Sequence, residues 1–182
     1  MAKDLDRYDF TEPETNDTKI KPLYEPRGAQ IEALCALEDT RAEGAQKALI
    51  QAATGIGKTY LAAFDSKPYK KVLFVAHREE ILRQAAVSFR NVRNSEDYGF
   101  FTGDEKCTDK SVIFVSVATL GKAEYLNEKY FAPDYFEYVV IDEFHHAVNN
   151  QYRKIVDYFH PQFLLGLTAT PERMDGKNIY EI

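Results

Sequence analysis

The sequence predicts an α/β fold, a three-layer α/β/α sandwich on a mainly parallel sheet. Apolar runs alternate with stretches of helical spacing, as Lys71-Val72-Leu73-Phe74-Val75-Ala76 does ahead of Ile81 to Val87. Tyr138-Val139-Val140-Ile141 has no polar alternation at all, which suits a parallel strand covered on both faces. Ala48-Leu49-Ile50-Gln51 leads through a glycine-bearing turn into Tyr60-Leu61-Ala62-Ala63-Phe64, in the order strand, turn, helix. A chain of 182 residues with 45% hydrophobic and 29% charged content suits one domain with a full core.

The turn itself, Ala52-Ala53-Thr54-Gly55-Ile56-Gly57-Lys58-Thr59, has the residue types of a phosphate-binding P-loop. Glycines let successive backbone N–H groups wrap a polyphosphate, and the following helix points its positive end at the same anion. Thr54, Gly55, Ile56 and Gly57 would supply that cradle, Lys58 would reach the β- and γ-phosphates, and the Thr59 hydroxyl would ligate Mg²⁺. Ala52 replaces the usual first glycine of the pattern. Read alone, the stretch is also compatible with an ordinary turn carrying a surface lysine. The Tyr138–Ile141 run ends directly in Asp142-Glu143-Phe144-His145. Carboxylates at the carboxyl end of a buried parallel strand sit where open α/β sheets bind nucleotides. Asp142 is then the expected Mg²⁺ partner and Glu143 the base or water-orienting group, the alternative being an acidic helix cap.

Ala52 to Thr59, the Asp142-Glu143-Phe144-His145 box and Thr168-Ala169-Thr170 stand in the order found in superfamily-two DExD/H helicases and translocases, which this chain resembles. The version Asp-Glu-Phe-His-His-Ala is most similar to bacterial DEAD/DEAH-type proteins of the type III restriction enzyme translocase-subunit group. The resemblance covers roughly residues 22 to 175 and matches the first of two RecA-like domains. It implies a P-loop NTPase with ATP and Mg²⁺ as cofactors, nucleic acid as partner with DNA ahead of RNA, and a second RecA-like domain in the same polypeptide. By the same resemblance, Arg27-Gly28-Ala29-Gln30 corresponds to an Arg-x-x-Gln signature in which Gln30 reads the adenine edge and Arg27 brackets the base. Without it, Gln30 reads as a solvated helix residue.

The remaining stretches follow in order. Residues 1–21 are polar and acid-rich and are expected to be a flexible lead or the edge of a preceding domain. Ile31 to Leu37 has the spacing of a helix with a buried face. His77-Arg78-Glu79-Glu80 opens the next helix, where the resemblance places a nucleic-acid backbone contact; Arg78 suits it, although Arg78, Glu79 and Arg83 suit a solvated helix face equally. Tyr98 to Gly103 and Ser111 to Ser116 are two further strands. Thr102-Gly103 and the run containing Thr119 align with further strand-contact motifs, while an ordinary turn and a helix cap explain them as well. Asn149 to Phe159 is a helix stopped by His160-Pro161, and Phe163 to Leu167 is the last strand. It delivers Thr168 and Thr170, which with His145 would couple the acidic box to the strand side. Residues 176–182 are expected to begin a linker, ahead of the motifs V and VI that such motors carry.

Other classes are disfavoured. The net charge of −6 speaks against a strongly basic surface over the whole domain, without excluding a local one. Cys35 and Cys107 form no disulfide framework, and no zinc spacing surrounds His145-His146. No apolar run has the length of a membrane span and the amino end lacks a signal-peptide core, so a cytoplasmic protein is expected. Two rival readings stay open: a P-loop ATPase or kinase acting on a non-nucleic-acid substrate, and a nucleotide-sensing interaction domain without turnover. Stimulation of hydrolysis by nucleic acid separates them from a motor.

Overall fold

A computed structural model describes residues 24–52, 57–144, 149–169 and 178–180. Helix α1 (Ala29–Ala42) is followed by β1 (Lys47–Ala52), α2 (Lys58–Asp65), β2 (Val72–Ala76), α3 (Glu79–Arg93), β3 (Tyr98–Phe101), β4 (Val112–Ser116) and the single turn α4 (Val117–Leu120). Strand β5 (Tyr138–Ile141), α5 (Asn150–Tyr158), β6 (Phe163–Ala169) and β7 (Asn178–Tyr180) complete the order. The strands form one sheet in the order β3-β4-β2-β5-β6-β1-β7. All neighbours among the first six strands pair in parallel, and β7 runs antiparallel to β1.

Both faces of the sheet are covered, which is why its strands are continuous apolar runs. In β2, Val72, Phe74 and Ala76 join the core under α1, α2 and α3, with Leu37, Leu61, Leu82 and Phe89. Leu73 and Val75 point to the opposite core, with Ile113, Val115, Tyr152, Ile155 and Phe159. This second layer is thin in helix and is completed by the connection after α4. There Phe131 lies 5.5 Å from Phe101 and 5.1 Å from Phe136, and Phe136 lies 5.4 Å from Phe159, ring centre to ring centre.

Polar clamps fix the helices to the sheet. Arg41 of α1 donates two hydrogen bonds to Asp65 of α2, at 2.8 and 2.6 Å, and the buried Tyr138 hydroxyl of β5 donates to the same carboxylate at 2.6 Å. Arg93 at the end of α3 donates to the carbonyls of Ser66 and Tyr69, at 2.8 and 2.9 Å, satisfying acceptors just past α2. Asn149 caps α5, its side-chain oxygen accepting from the Gln151 N–H at 3.1 Å.

Three expectations are corrected. Helix α1 buries Ala33 and Leu37 but leaves Ile31 49% exposed, so its apolar spacing overstated its buried face. The strand expected to run to Gly103 ends at Phe101, because the Thr102 N–H turns back to the Glu105 carbonyl at 2.8 Å. Residues 178–180, expected in a linker, are a strand at the sheet edge, with Asn178 opposite Gln51 and Tyr180 opposite Leu49. The expected lead, residues 1–21, lies outside the described residues.

Candidate active site

Strands β1, β6 and β5 are adjacent and parallel, so their carboxyl ends open on the same edge. The P-loop follows β1, the acidic box follows β5, and β6 brings Thr168 up between them, opposite Gln51. Chain crossings at such an edge leave a crevice for a ligand.

Gly57 caps α2 in the left-handed region, φ 72° and ψ 51°, and no side chain caps this helix start. The positive φ favours glycine here, and a β-carbon at Gly57 would stand 2.8 Å from Nε2 of Gln30, which would have to shift. Gln30 Nε2 donates to the Gly57 carbonyl at 3.4 Å, and its Oε1 accepts from the Arg27 N–H at 3.1 Å. Tyr24 stacks on Tyr60 of α2, ring centres 5.9 Å apart, which docks the segment before α1 against the P-loop helix. The sequence thus brings Gln30 to the loop, with Arg27 beside it on an exposed backbone.

Lys58 begins α2 with its ammonium 3.4 Å from the Ala52 carbonyl, across the turn. Burial pushes its pKa down, opposed by the negative charges of Asp142 and Glu143. Thr59 is half-buried in the same turn of helix. Asp142 follows β5, its N–H donating to the Val75 carbonyl at 2.9 Å. Burial is the main influence raising its carboxyl pKa, with the Glu143 charge adding to it; the Glu143 N–H and the charge of Lys58 act in the opposite sense. That N–H donates to Asp142 Oδ1 at 2.9 Å. Glu143 adopts φ 53°, a left-handed conformation uncommon for a side-chain-bearing residue. Beside it Phe144 presses on β6, where a β-carbon at Gly166 would come within 2.9 Å of the ring and of Leu49 Cδ1. A glycine in mid-strand therefore seats the acidic box close to the sheet.

Two residues of this site were not anticipated. His77, just past β2, places Nδ1 2.9 Å from Glu143 Oε2. Tyr152 of α5 is buried, and its phenol pKa is raised by that burial and by the nearby charges of Glu143 and Asp142. His77 lies far from the acidic box in sequence and reaches it through the β2–β5 pairing, while Tyr152, nine residues past Glu143, is brought back to it by the position of α5.

The expected strand contacts divide. Arg78 is exposed and caps α3 in an extended conformation, but Glu79 and Glu80 share that first turn and compete with an anion. Gly103 is exposed. Thr102 and Thr119 are corrections: they are 1% and 6% exposed, so neither hydroxyl is presented for a phosphate. Each is packed inward by the strand end or short helix that carries it. Thr168 is half-buried at the end of β6. Thr54, Gly55, Ile56, His145 and Thr170 lie outside the described residues.

A parallel sheet with a lysine-started helix after one strand and an acidic pair after another, on one edge, is the framework of a RecA-like domain of the helicase and translocase class. The chain belongs to the family described as type III restriction enzyme, res subunit, whose model matches residues 23–173. It is 31% identical over 166 residues to the type I restriction enzyme EcoAI endonuclease subunit of Escherichia coli, a match covering 81% of this chain and 19% of that protein. It is 30% identical over 161 residues to the DNA 3'-5' translocase XPB2 of Sulfurisphaera tokodaii, covering 87% and 34%. The helicase domain of Pyrococcus furiosus Hef superposes with a TM-score of 0.63 at 25% identity, over 82% of this chain and 34% of that one. The Sulfolobus solfataricus SWI2/SNF2 ATPase core in complex with dsDNA gives 0.63 at 21%, over 81% and 32%, a likeness of fold. The chain therefore spans between about a fifth and a third of the length of these two curated relatives.

Proposed function

We propose that this domain binds ATP with Mg²⁺ in the crevice between β1 and β5 and forms the ATP-binding half of a motor that moves on DNA. The observation that carries the reading is that Lys58 at the start of α2 and the Asp142-Glu143 pair after β5 stand on one sheet edge, where both carboxylates oppose the lowering of the Lys58 pKa by burial. Lys58 and the uncapped N–H groups at the start of α2 hold the phosphates. Gln30, already fixed to the P-loop, offers the adenine edge an amide with both a donor and an acceptor. Glu143 orients the attacking water.

The residues fit Mg²⁺. Asp142 is a carboxylate whose burial disfavours its own charge, a cost that a bound cation offsets, and Thr59 adds a hydroxyl. An ion of this kind is bound through one or two protein groups and the substrate phosphates, and among the described residues no group of three or more His, Cys, Asp or Glu could hold a metal ion. The ion, when bound, neutralises charge on the phosphate oxygens. A DNA partner is supported by the names of the relatives, a DNA translocase and a restriction enzyme subunit. A second RecA-like domain of the same polypeptide is supported by how much longer those relatives are. Arg78 and the exposed Gly103 turn are the candidate contacts to the DNA backbone. Residues 1–21 would then lead into the domain. Among the described residues no helix is long and apolar enough to cross a membrane, and two free thiols suit the cytoplasm.

Lys58→Ala is expected to lose most ATP affinity with an unchanged circular dichroism spectrum. Equal affinity in the two proteins, by titration calorimetry, removes the P-loop assignment. Asp142→Asn is expected to lose the metal-dependent part of binding while its nucleotide-free melting temperature stays level or rises. The sign follows from the raised carboxyl pKa: the protonated form stabilises the fold, and that contribution is lost as pH rises through the folded pKa, so at neutral pH the charge is a cost. A clear drop in melting temperature contradicts this.

Gln30→Ala is expected to erode a preference for ATP over GTP, which presents an acceptor where adenine presents a donor. One or two hydrogen bonds correspond to about 1–3 kcal/mol. Unchanged discrimination in competition binding returns Gln30 to a role in packing the P-loop.

A further inference from the structure

The register of the sheet sets up one contact that the motor reading does not require. Val75 of β2 pairs with Ile141 of β5 at the end of their ladder. Two residues further along each chain, past the ends of the two strands, stand His77 and Glu143, and Nδ1 of one lies 2.9 Å from Oε2 of the other. Both side chains are about one-third exposed, 33% and 35%, so the pair borders the crevice rather than the core. Glu143 is further constrained by its left-handed backbone and by its N–H on Asp142 Oδ1. A carboxylate with one oxygen at ion-pair distance from an imidazole is restrained in how it presents the other. The residue after His77 is Arg78, the cap of α3 and a candidate strand contact.

From this geometry, and resting on the reading of Glu143 as the water-orienting group, we infer that His77 is its positioning residue. The β2–α3 turn therefore links the strand held at α3 to hydrolysis. His77 touches neither ATP nor the reacting atoms; it acts by holding one oxygen of Glu143. Removing it frees the carboxylate to rotate, and misplacement of about an ångström in such a group costs on the order of 10–100-fold in turnover. ATP affinity depends on Lys58 and the P-loop and stays as it was.

The inference makes a stereochemical demand. Asn carries its amide nitrogen at the same distance along the side chain as Nδ1 of His, whereas Gln carries it one bond further, near the place of Nε2. His77→Asn should therefore restore what His77→Ala loses, and His77→Gln should not.

The test uses the intact protein, with steady-state ATPase measured with and without duplex DNA, alongside the ¹⁵N resonances of the His77 ring in the nucleotide-free state. The expected result is a lower kcat and a DNA stimulation ratio near one for His77→Ala, with KM for ATP unchanged. His77→Asn recovers both, and Glu143→Gln shifts the His77 Nδ1 resonance without nucleotide present. His77→Ala with wild-type kcat and stimulation, while Glu143→Gln is inactive, overturns the inference and leaves the motor reading standing. His77→Ala and His77→Asn equally impaired, with native circular dichroism, overturns it too. An active Glu143→Gln instead removes the role of Glu143 itself, and the inference with it.

Discussion

The 182-residue chain on its own is expected to bind ATP yet hydrolyse it slowly, and joining it to a second RecA-like domain is expected to raise turnover by on the order of 10³ to 10⁵. Charge that builds on the γ-phosphate calls for a counter-charge beyond Lys58, and an arginine supplied by a facing domain gives an effect of that size in nucleotide hydrolases. Among the described residues, four arginines are engaged elsewhere: Arg41 with Asp65, Arg83 with Glu105, Arg93 with the carbonyls after α2, and Arg153 with Asp157 on the outside of α5. Movement along a strand also needs two bodies that close and reopen. Steady-state ATPase of residues 1–182 is to be compared with a chain extended through the next domain, with and without DNA. Comparable turnover by the short chain, abolished by Glu143→Gln, would mean that catalysis is complete here and that the two-domain reading is wrong.

Asp65→Ala is expected to destabilise the fold by about 3–5 kcal/mol, the range for removing one partner of a buried ion pair. Asp65 is 4% exposed and accepts from Arg41 twice and from the Tyr138 hydroxyl once, so its removal strands two donors at the junction of α1, α2 and β5. The Tyr138 phenol is fully buried, with its pKa raised first by that burial and then by Asp65. Arg41, about a quarter exposed, recovers part of its loss by turning to water. Asp65→Asn, which keeps an acceptor for Tyr138, should cost less. Urea denaturation measures both, and a loss below about 1 kcal/mol for Asp65→Ala would make this clamp an ordinary surface pair.

The parallel strands were legible because burial on both faces writes them as unbroken apolar runs: Val72 to Ala76, Val112 to Val115 and Tyr138 to Ile141 are all buried. The acidic box was legible because its residues are consecutive. Helix α3 was legible at its start, but it runs on past Val87 to Arg93, where Ser88 and Asn91 interrupt the apolar spacing while Phe89 and Val92 stay buried. The aromatic connection between α4 and β5 has no period to read, since its rings pack by edge and tilted contacts between irregular turns. His77 could not be read as part of the site because the pairing of β2 with β5 decides that neighbourhood, nor Tyr152 because the packing of α5 does. The hydroxyls of Thr102 and Thr119 show the converse error, residue types that suit a phosphate on backbones that turn them inward.

Strand β7 gives the domain a mechanical property. Asn178–Tyr180 runs along β1 in the opposite direction, so the strand that precedes the P-loop is gripped on its outer edge. A pull along the strand axis on the chain past Tyr180 loads the three residue pairs from Leu49–Tyr180 to Gln51–Asn178 in shear. Such a load passes into β1 before any other strand, because β1 is the neighbour of β7 in the sheet.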